Sequence, residues 1–101
     1  MVEIRRTTRF KRWLEELRDP RAIAKILIRI DRLAAGNPGD VKPVGEGVSE
    51  MRIDYGPGYR VYYAQRRGIT IILLVGGDKS TQRSDVRDAL KLAVEWKEQD
   101  R

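Results

Sequence analysis

Residues 49–75 read SEMRIDYGPGYRVYYAQRRGITIILLV, and this stretch decides the fold because it contains three strand-like runs separated by short turns. In the first run, Ser49 to Tyr55, apolar and charged side chains alternate, as they do in a strand with one buried face. The second run is Tyr59 to Arg66. The third, Ile69 to Val75, is apolar at nearly every position, which is typical of a central strand covered on both faces. We expect the second strand to pair antiparallel with both of the others.

The turn Gly56-Pro57-Gly58 sets the expected pairing of the first two strands. If these three residues are the whole loop, the facing pairs are Tyr55 with Tyr59, Asp54 with Arg60, Ile53 with Val61, and Arg52 with Tyr62. One face of the hairpin is then apolar, and the other carries Arg52, Asp54, Arg60 and Tyr62. A shift by one residue would mix the two faces.

Helical periodicity flanks the strands on both sides. Thr7 or Thr8 can cap a first helix, and Asp19 can cap a second one in which Pro20 takes the first position. Each helix has an apolar stripe, formed by Phe10, Trp13, Leu14 and Leu17 in the first and by Ile23, Ile26, Leu27, Ile30 and Leu33 in the second. Ser80 or Thr81 should cap a last helix that runs to about Gln99 and turns Val86, Ala89, Leu90, Ala93 and Val94 inward.

Two further segments complete the predicted architecture. Val2 to Arg6 reads as a short strand, and the Pro- and Gly-rich segment from Asn37 to Gly47 is expected to be a surface loop. The order β-α-α-β-β-β-α predicts one α+β domain over residues 1–101. Its expected core is a small antiparallel sheet with an N-terminal helical hairpin and a C-terminal helix.

Composition limits the chemistry that the chain can perform. It has no Cys and no His, which excludes thiol catalysis, thiolate metal sites and every arrangement that needs a catalytic histidine. We expect no cofactor, no metal and a cytoplasmic location. No apolar run reaches the roughly 20 residues of a membrane span. The formal net charge of +6 favours anionic partners such as nucleic acid, ribosomes or acidic proteins.

Two motifs resemble the signature of HigB-like killer proteins of the RelE/ParE superfamily. The first is Ser49 to Tyr63, and the second is Gly76-Gly77-Asp78-Lys79-Ser80-Thr81-Gln82, followed by Asp85 and Ala89. The loop Gly36-Asn37-Pro38-Gly39-Asp40 and the helical hairpin before it also match in order and spacing. The resemblance therefore covers nearly the whole chain, and it implies the RelE-like fold, which agrees with the periodicity.

The resemblance also implies a function and a set of partners. Members of this branch are stable toxins of type II toxin–antitoxin systems, and they often act as metal-independent endonucleases on mRNA in the ribosome. Their antitoxin is usually a helix-turn-helix DNA-binding protein that represses the operon. The expected partners are thus a cognate antitoxin of that kind, the ribosome and mRNA, with operator DNA reached only through the antitoxin.

RNA cleavage through the 2′-hydroxyl needs a base, an acid for the leaving 5′-oxygen, and cations for the charge on the phosphoryl oxygens. Arg52 and Arg60 should project from adjacent strands on one face, and by resemblance they match basic residues of the family's active site. Lys79 lies near the same sheet end, where two neighbouring arginines would favour loss of its proton. We assign catalytic roles to Arg52, Arg60 and Lys79, and substrate-binding roles to Glu50, Tyr62, Asp78 and Gln82.

The chain departs from the superfamily at the proton-transfer step. Some members use a histidine or a tyrosine close to the C-terminus, whereas this chain has no histidine and no tyrosine after Tyr63. Lys79 is therefore the preferred acid/base candidate, with Glu50, Asp78 and Tyr62 as alternatives. By spacing alone, Arg60 opposite Asp54 is as readily a cross-strand ion pair as a phosphate ligand.

Two other functions compete with the nuclease. A ParE-like toxin would inhibit DNA gyrase by binding, without chemistry, and a degenerate member would bind only its antitoxin. The nuclease is favoured because the arginines stand on the strand face where the resemblance places them.

Overall fold

A computed structural model describes residues 2–99 of the chain and confirms the α+β class. The strands are β1 (Glu3–Arg6), β2 (Val41–Gly45), β3 (Val48–Ile53), β4 (Tyr59–Arg66) and β5 (Thr70–Gly77). The helices are α1 (Thr8–Glu16), α2 (Pro20–Ala34) and α3 (Gln82–Gln99), and a short 3₁₀ turn, Lys79–Thr81, precedes α3. Within residues 2–99, none of the helices is long and apolar enough to cross a membrane.

The five strands form one sheet in the order β1-β5-β4-β3-β2. β4 pairs antiparallel with both β3 and β5, as predicted. The expectation of a purely antiparallel sheet is wrong, because β1 runs parallel to β5 and makes the sheet mixed. Thr7 fixes this arrangement, since its N–H donates to the Leu73 carbonyl and its hydroxyl donates to the Leu74 carbonyl.

Helices cover the sheet on both faces, and each face has its own apolar cluster. On one face, α1 and α2 contribute Phe10, Ile26, Ile30 and Leu33, which pack with Met51, Ile53, Val61, Ile71 and Leu73 of the sheet. On the other face, α3 contributes Ala89, Ala93 and Trp96, which pack with Val48, Ala64, Leu74 and Val75. β5 supplies side chains to both clusters, so its predicted central position is confirmed.

The local signals at the helix starts are confirmed for α1 and α2. The Thr7 hydroxyl accepts from the Phe10 N–H at 3.0 Å, and Asp19 accepts from the Arg21 N–H at 3.0 Å. Before α3, Ser80 and Thr81 lie in the 3₁₀ turn Lys79–Thr81, which is capped by Asp78. Val94 is 42% exposed and does not face inward.

The segment from Asn37 to Gly47 is not the continuous loop that its composition predicts. Val41–Gly45 forms the edge strand β2, which pairs antiparallel with β3. Pro43 is compatible with this position because an edge strand needs hydrogen bonds on one side only. The register shifts between Pro43 and Gly45, as a β-bulge would cause.

The predicted register of β3 and β4 is wrong by two residues. The observed pairs are Ile53 with Tyr59, Arg52 with Arg60, Met51 with Val61, and Glu50 with Tyr62. The loop comprises residues 54–58, and within it the Gly58 N–H donates to the Tyr55 carbonyl. Asp54 therefore leaves the ladder and does not face Arg60. Because the shift is an even number of residues, each side chain keeps its predicted face.

Candidate functional site

A buried carboxylate, Glu50 on β3, lies at the centre of the candidate site, with 1% of its surface exposed. Its Oε1 accepts from Arg52 Nε at 3.1 Å and lies 3.9 Å from Arg60 Nε. Its Oε2 accepts from the Tyr62 hydroxyl at 3.0 Å and from Gln82 Nε2 at 2.8 Å. The structure thus brings together five of the seven residues that the sequence predicts for the site.

The protonation states in this network follow from burial and hydrogen bonding. Burial works to raise the pKa of Glu50, but the hydrogen bonds from Gln82, Arg52 and Tyr62 outweigh it, so the pKa is lowered. Burial, and then the hydrogen bond to Glu50, raise the pKa of Tyr62. Glu50 is therefore an anion at neutral pH, and Tyr62 is a neutral donor. Both side chains are buried, so they position their neighbours.

Arg60 stands out within the network. Its side chain is 12% exposed, and its Nε is buried without a hydrogen-bond acceptor in the part of the chain that the structure describes. A buried guanidinium N–H that makes no hydrogen bond costs free energy, and such groups in native proteins call for a reason. The charge of Glu50, 3.9 Å from Arg60 Nε, compensates for part of this cost.

Three cations, Arg52, Arg60 and Lys79, line one pocket of about 220 Å³. Arg52 and Arg60 reach it from paired positions on β3 and β4, as required for two guanidinium groups that share an anion. Lys79 reaches it from the 3₁₀ turn after β5. The predicted residue Asp78 does not line the pocket. It caps the same turn by accepting from the Ser80 N–H at 2.8 Å.

Three residues around this pocket received no site role from the sequence. Asp40 and Asp54 are exposed carboxylates that line it beside the cations. Arg29 on α2 donates to the Arg52 carbonyl at 2.5 Å and to the Pro38 carbonyl at 3.1 Å, so it ties the strand to the loop that carries Asp40. Asp40 belongs to the Pro-Gly-Asp turn that is part of the family resemblance. The contact of Arg29 with this turn could not be predicted, because no periodic pattern shows that α2 packs beside it.

A second buried carboxylate, Asp85 on α3, lies on the same face of the sheet. Its Oδ2 accepts from the Thr81 hydroxyl at 2.5 Å, and its Oδ1 lies 3.3 Å from Arg9 Nη2. Burial raises the pKa of Asp85, and the hydrogen bond from Thr81 and the charge of Arg9 offset this only in part. Glu50 and Asp85 therefore differ in how completely their charge is compensated.

The Gly76-Gly77 pair lets side chains from both helix layers approach β5 closely. A Cβ at Gly76 would lie 2.0 Å from Trp13 Cε3 on one face, and a Cβ at Gly77 would lie 1.9 Å from Asp85 Oδ2 on the other. No real Cβ tolerates such contacts. Tight internal packing therefore requires glycine at both positions.

The donor set suits an anion. Among residues 2–99, no group of three or more acidic side chains is placed to hold a metal ion, and both oxygens of Glu50 are already in use. The pocket instead combines three cations with two exposed carboxylates. Such a set can bind a phosphodiester and exchange protons with its oxygens.

Comparison with known proteins connects this geometry to a family. The model of the phage-derived Gp49-like proteins matches residues 12–97 of the chain, which include every residue of the site. An uncharacterized protein of Haemophilus influenzae is 51% identical over 94 residues, covering 93% of this chain and 95% of that protein.

Proposed function

Because the chain belongs to the Gp49-like family of phage-derived proteins, a toxin-like addiction-module family of the RelE/HigB type, we propose that it is the toxin of a type II toxin–antitoxin system. We assign it to the HigB-like branch, and its activity is metal-independent cleavage of mRNA on the ribosome. The observation that carries the proposal is the convergence of Arg52, Arg60 and Lys79 on one pocket. Its partners are a cognate antitoxin and the translating ribosome.

The proposed reaction is attack of the 2′-oxygen on the adjacent phosphorus. The bond from phosphorus to the 5′-oxygen breaks, which leaves a 2′,3′-cyclic phosphate on one fragment and a 5′-hydroxyl on the other. Arg52 and Arg60 stabilise the negative charge that builds on the phosphoryl oxygens. Arg60 is suited to this role because it lines the pocket beside Arg52, so both guanidinium groups can contact one phosphate.

Two proton transfers accompany that attack. The exposed carboxylates of Asp40 and Asp54 border the cations, so one of them takes the proton from the 2′-hydroxyl. The Lys79 ammonium group gives a proton to the departing 5′-oxygen. Glu50 is a positioning residue: its oxygens are occupied by Arg52, Tyr62 and Gln82, and it holds the arginines in place.

Lys79→Glu tests the proposal better than a reversal at Arg60. Lys79 is exposed, so the change leaves the core intact, whereas a glutamate at position 60 would lie close to the buried Glu50. The matched control is Arg67→Glu in the exposed β4–β5 turn, which changes the net charge by the same amount. After induction, the control and the wild type should stop protein synthesis and growth, and Lys79→Glu should not.

Bulk synthesis rates separate the rival functions in the same cultures. An early fall in translation supports the nuclease. A DNA-damage response with intact translation would support a ParE-like gyrase inhibitor instead. Growth arrest that persists unchanged in Lys79→Glu would remove Lys79 from the site.

A further inference from the structure

A second pocket, of about 360 Å³, lies near the pocket lined by Arg52, Arg60 and Lys79, which we call the phosphate pocket. Its lining residues are Lys42, Val44, Glu50, Gln82, Arg83 and Val86. β2 and the first turn of α3 form its two sides, and β3 provides Glu50 between them. Glu50 lines this pocket and also contacts Arg52 and Arg60, which line the phosphate pocket, so it connects the two.

The cations of this second pocket are available to a ligand. Lys42 and Arg83 are both exposed, and neither side chain forms a hydrogen bond or an ion pair with any other residue between positions 2 and 99. The acid in the lining, Glu50, is already satisfied by Arg52, Tyr62 and Gln82. The pocket therefore presents uncompensated positive charge, beside the apolar side chains of Val44 and Val86.

The spacing of the two pockets follows from the sheet. Lys42 lies directly opposite Glu50, and Arg52 is two residues further along the same strand. Lys42 and Arg52 are therefore diagonal neighbours on adjacent strands, about 7–8 Å apart, a distance that adjacent phosphates of an extended nucleotide chain can match. One RNA strand can thus cross β3 and place consecutive phosphates in the two pockets.

We propose that the Lys42–Arg83 pocket is a binding subsite for the nucleotide next to the scissile phosphate. Lys42 and Arg83 bind the phosphate of that nucleotide, and its base lies against Val44 and Val86. This inference rests on the proposed ribonuclease function and extends it, because it makes single-stranded RNA with at least two consecutive phosphates the preferred ligand.

The test is equilibrium binding of short RNAs to the purified chain. The probe is a trinucleotide with two phosphodiesters, carrying 2′-O-methyl groups so that it cannot be cleaved. Lys42→Ala/Arg83→Ala is compared with Lys79→Ala and with a control, Arg67→Ala/Lys91→Ala, which removes two exposed cations elsewhere. Circular dichroism confirms that each variant is folded.

The Lys42/Arg83 variant should bind the trinucleotide about tenfold more weakly than the control. The slope of log K against log salt concentration should become less steep by about 0.7, as expected for the loss of one phosphate contact. Its affinity for a dinucleotide with one phosphodiester should stay within about twofold of the control, because the phosphate pocket is intact. Lys79→Ala should weaken the binding of both the trinucleotide and the dinucleotide.

The outcomes distinguish this inference from the function on which it rests. If Lys79→Ala weakens RNA binding and the Lys42/Arg83 variant matches the control, the subsite is overturned and the proposed function stands. If neither variant differs from the control, RNA does not bind this face and both fail. A Lys42/Arg83 variant that keeps its RNA affinity but loses the antitoxin would identify a protein contact and overturn the subsite.

Discussion

Glu50 and Asp85 are buried carboxylates on the same face of one sheet, yet their surroundings differ. Glu50 has hydrogen-bond donors on both oxygens and a second arginine close by, and its pKa is lowered. Asp85 receives one hydroxyl hydrogen bond and one long contact from Arg9, and its pKa is raised by burial. The full set of donors around Glu50 points to a group that organises cations, and the smaller set around Asp85 to one that packs a helix against the sheet.

Alanine substitution of each carboxylate should give the largest effect and the clearest contrast. Glu50→Ala leaves Arg60 in a buried position without its counter-charge, so we expect a loss of about 3–5 kcal/mol in the free energy of unfolding. Asp85→Ala removes one hydrogen bond and a partly exposed ion pair, and should cost about 1 kcal/mol. Urea denaturation measures both values. Equal losses would show that the two carboxylates do not differ in this way.

A methyl group at Gly77 tests the packing role of Asp85. Gly77→Ala places a Cβ where Asp85 Oδ2 now lies, so we expect a loss of about 1–3 kcal/mol through overpacking. Asp85→Ala removes the clashing carboxylate. The double variant should therefore be more stable than the sum of the two single losses predicts, in a double-mutant cycle by urea denaturation. Strict additivity would contradict the contact between the two residues.

The pH dependence of stability should have opposite signs at the two carboxylates. Glu50 has a lowered pKa in the folded state, so its contribution is present above its ordinary value of 4.5 and is lost as the pH falls through the lowered pKa. Asp85 has a raised pKa, so its contribution is present below its ordinary value of 3.8 and is lost as the pH rises through the raised pKa.

Unfolding free energies of Glu50→Gln and Asp85→Asn, measured between pH 3 and pH 7, check both signs. Relative to the wild type, the stability deficit of Glu50→Gln should shrink on acidification because the pKa of Glu50 is lowered, and that of Asp85→Asn should grow because the pKa of Asp85 is raised. Parallel curves for the wild type and both variants would show that neither carboxylate titrates differently on folding.

Local patterns in the sequence predicted most of the fold. The caps at Thr7 and Asp19, the hairpin strands and the central position of β5 follow from hydrogen bonding and periodicity over a few residues. The parallel pairing of β1 with β5 joins residues more than sixty positions apart, which no local pattern reveals. β2 was missed because Pro43 and its neighbouring glycines look like a loop, and only pairing with β3 makes the segment a strand.

The candidate site was predictable as a set of residues but not as a geometry. Alternation placed Arg52, Arg60 and Tyr62 on one face, and an error of two residues in register left that face unchanged. The same error placed Asp54 opposite Arg60, whereas in the structure the carboxylate that forms an ion pair with Arg60 is Glu50. Residues brought in by other elements, such as Arg29, could not be found because their contacts depend on how α2 packs.

The chemistry of mRNA ends in cells that express the protein tests directly whether this pocket cleaves RNA. We expect fragments with 5′-hydroxyl ends and 2′,3′-cyclic phosphates, produced inside translated regions by the wild type and by Arg67→Glu, and absent with Lys79→Glu. Intact mRNA during growth arrest, or equal cleavage by Lys79→Glu and the wild type, would contradict the assignment of this pocket as a ribonuclease site.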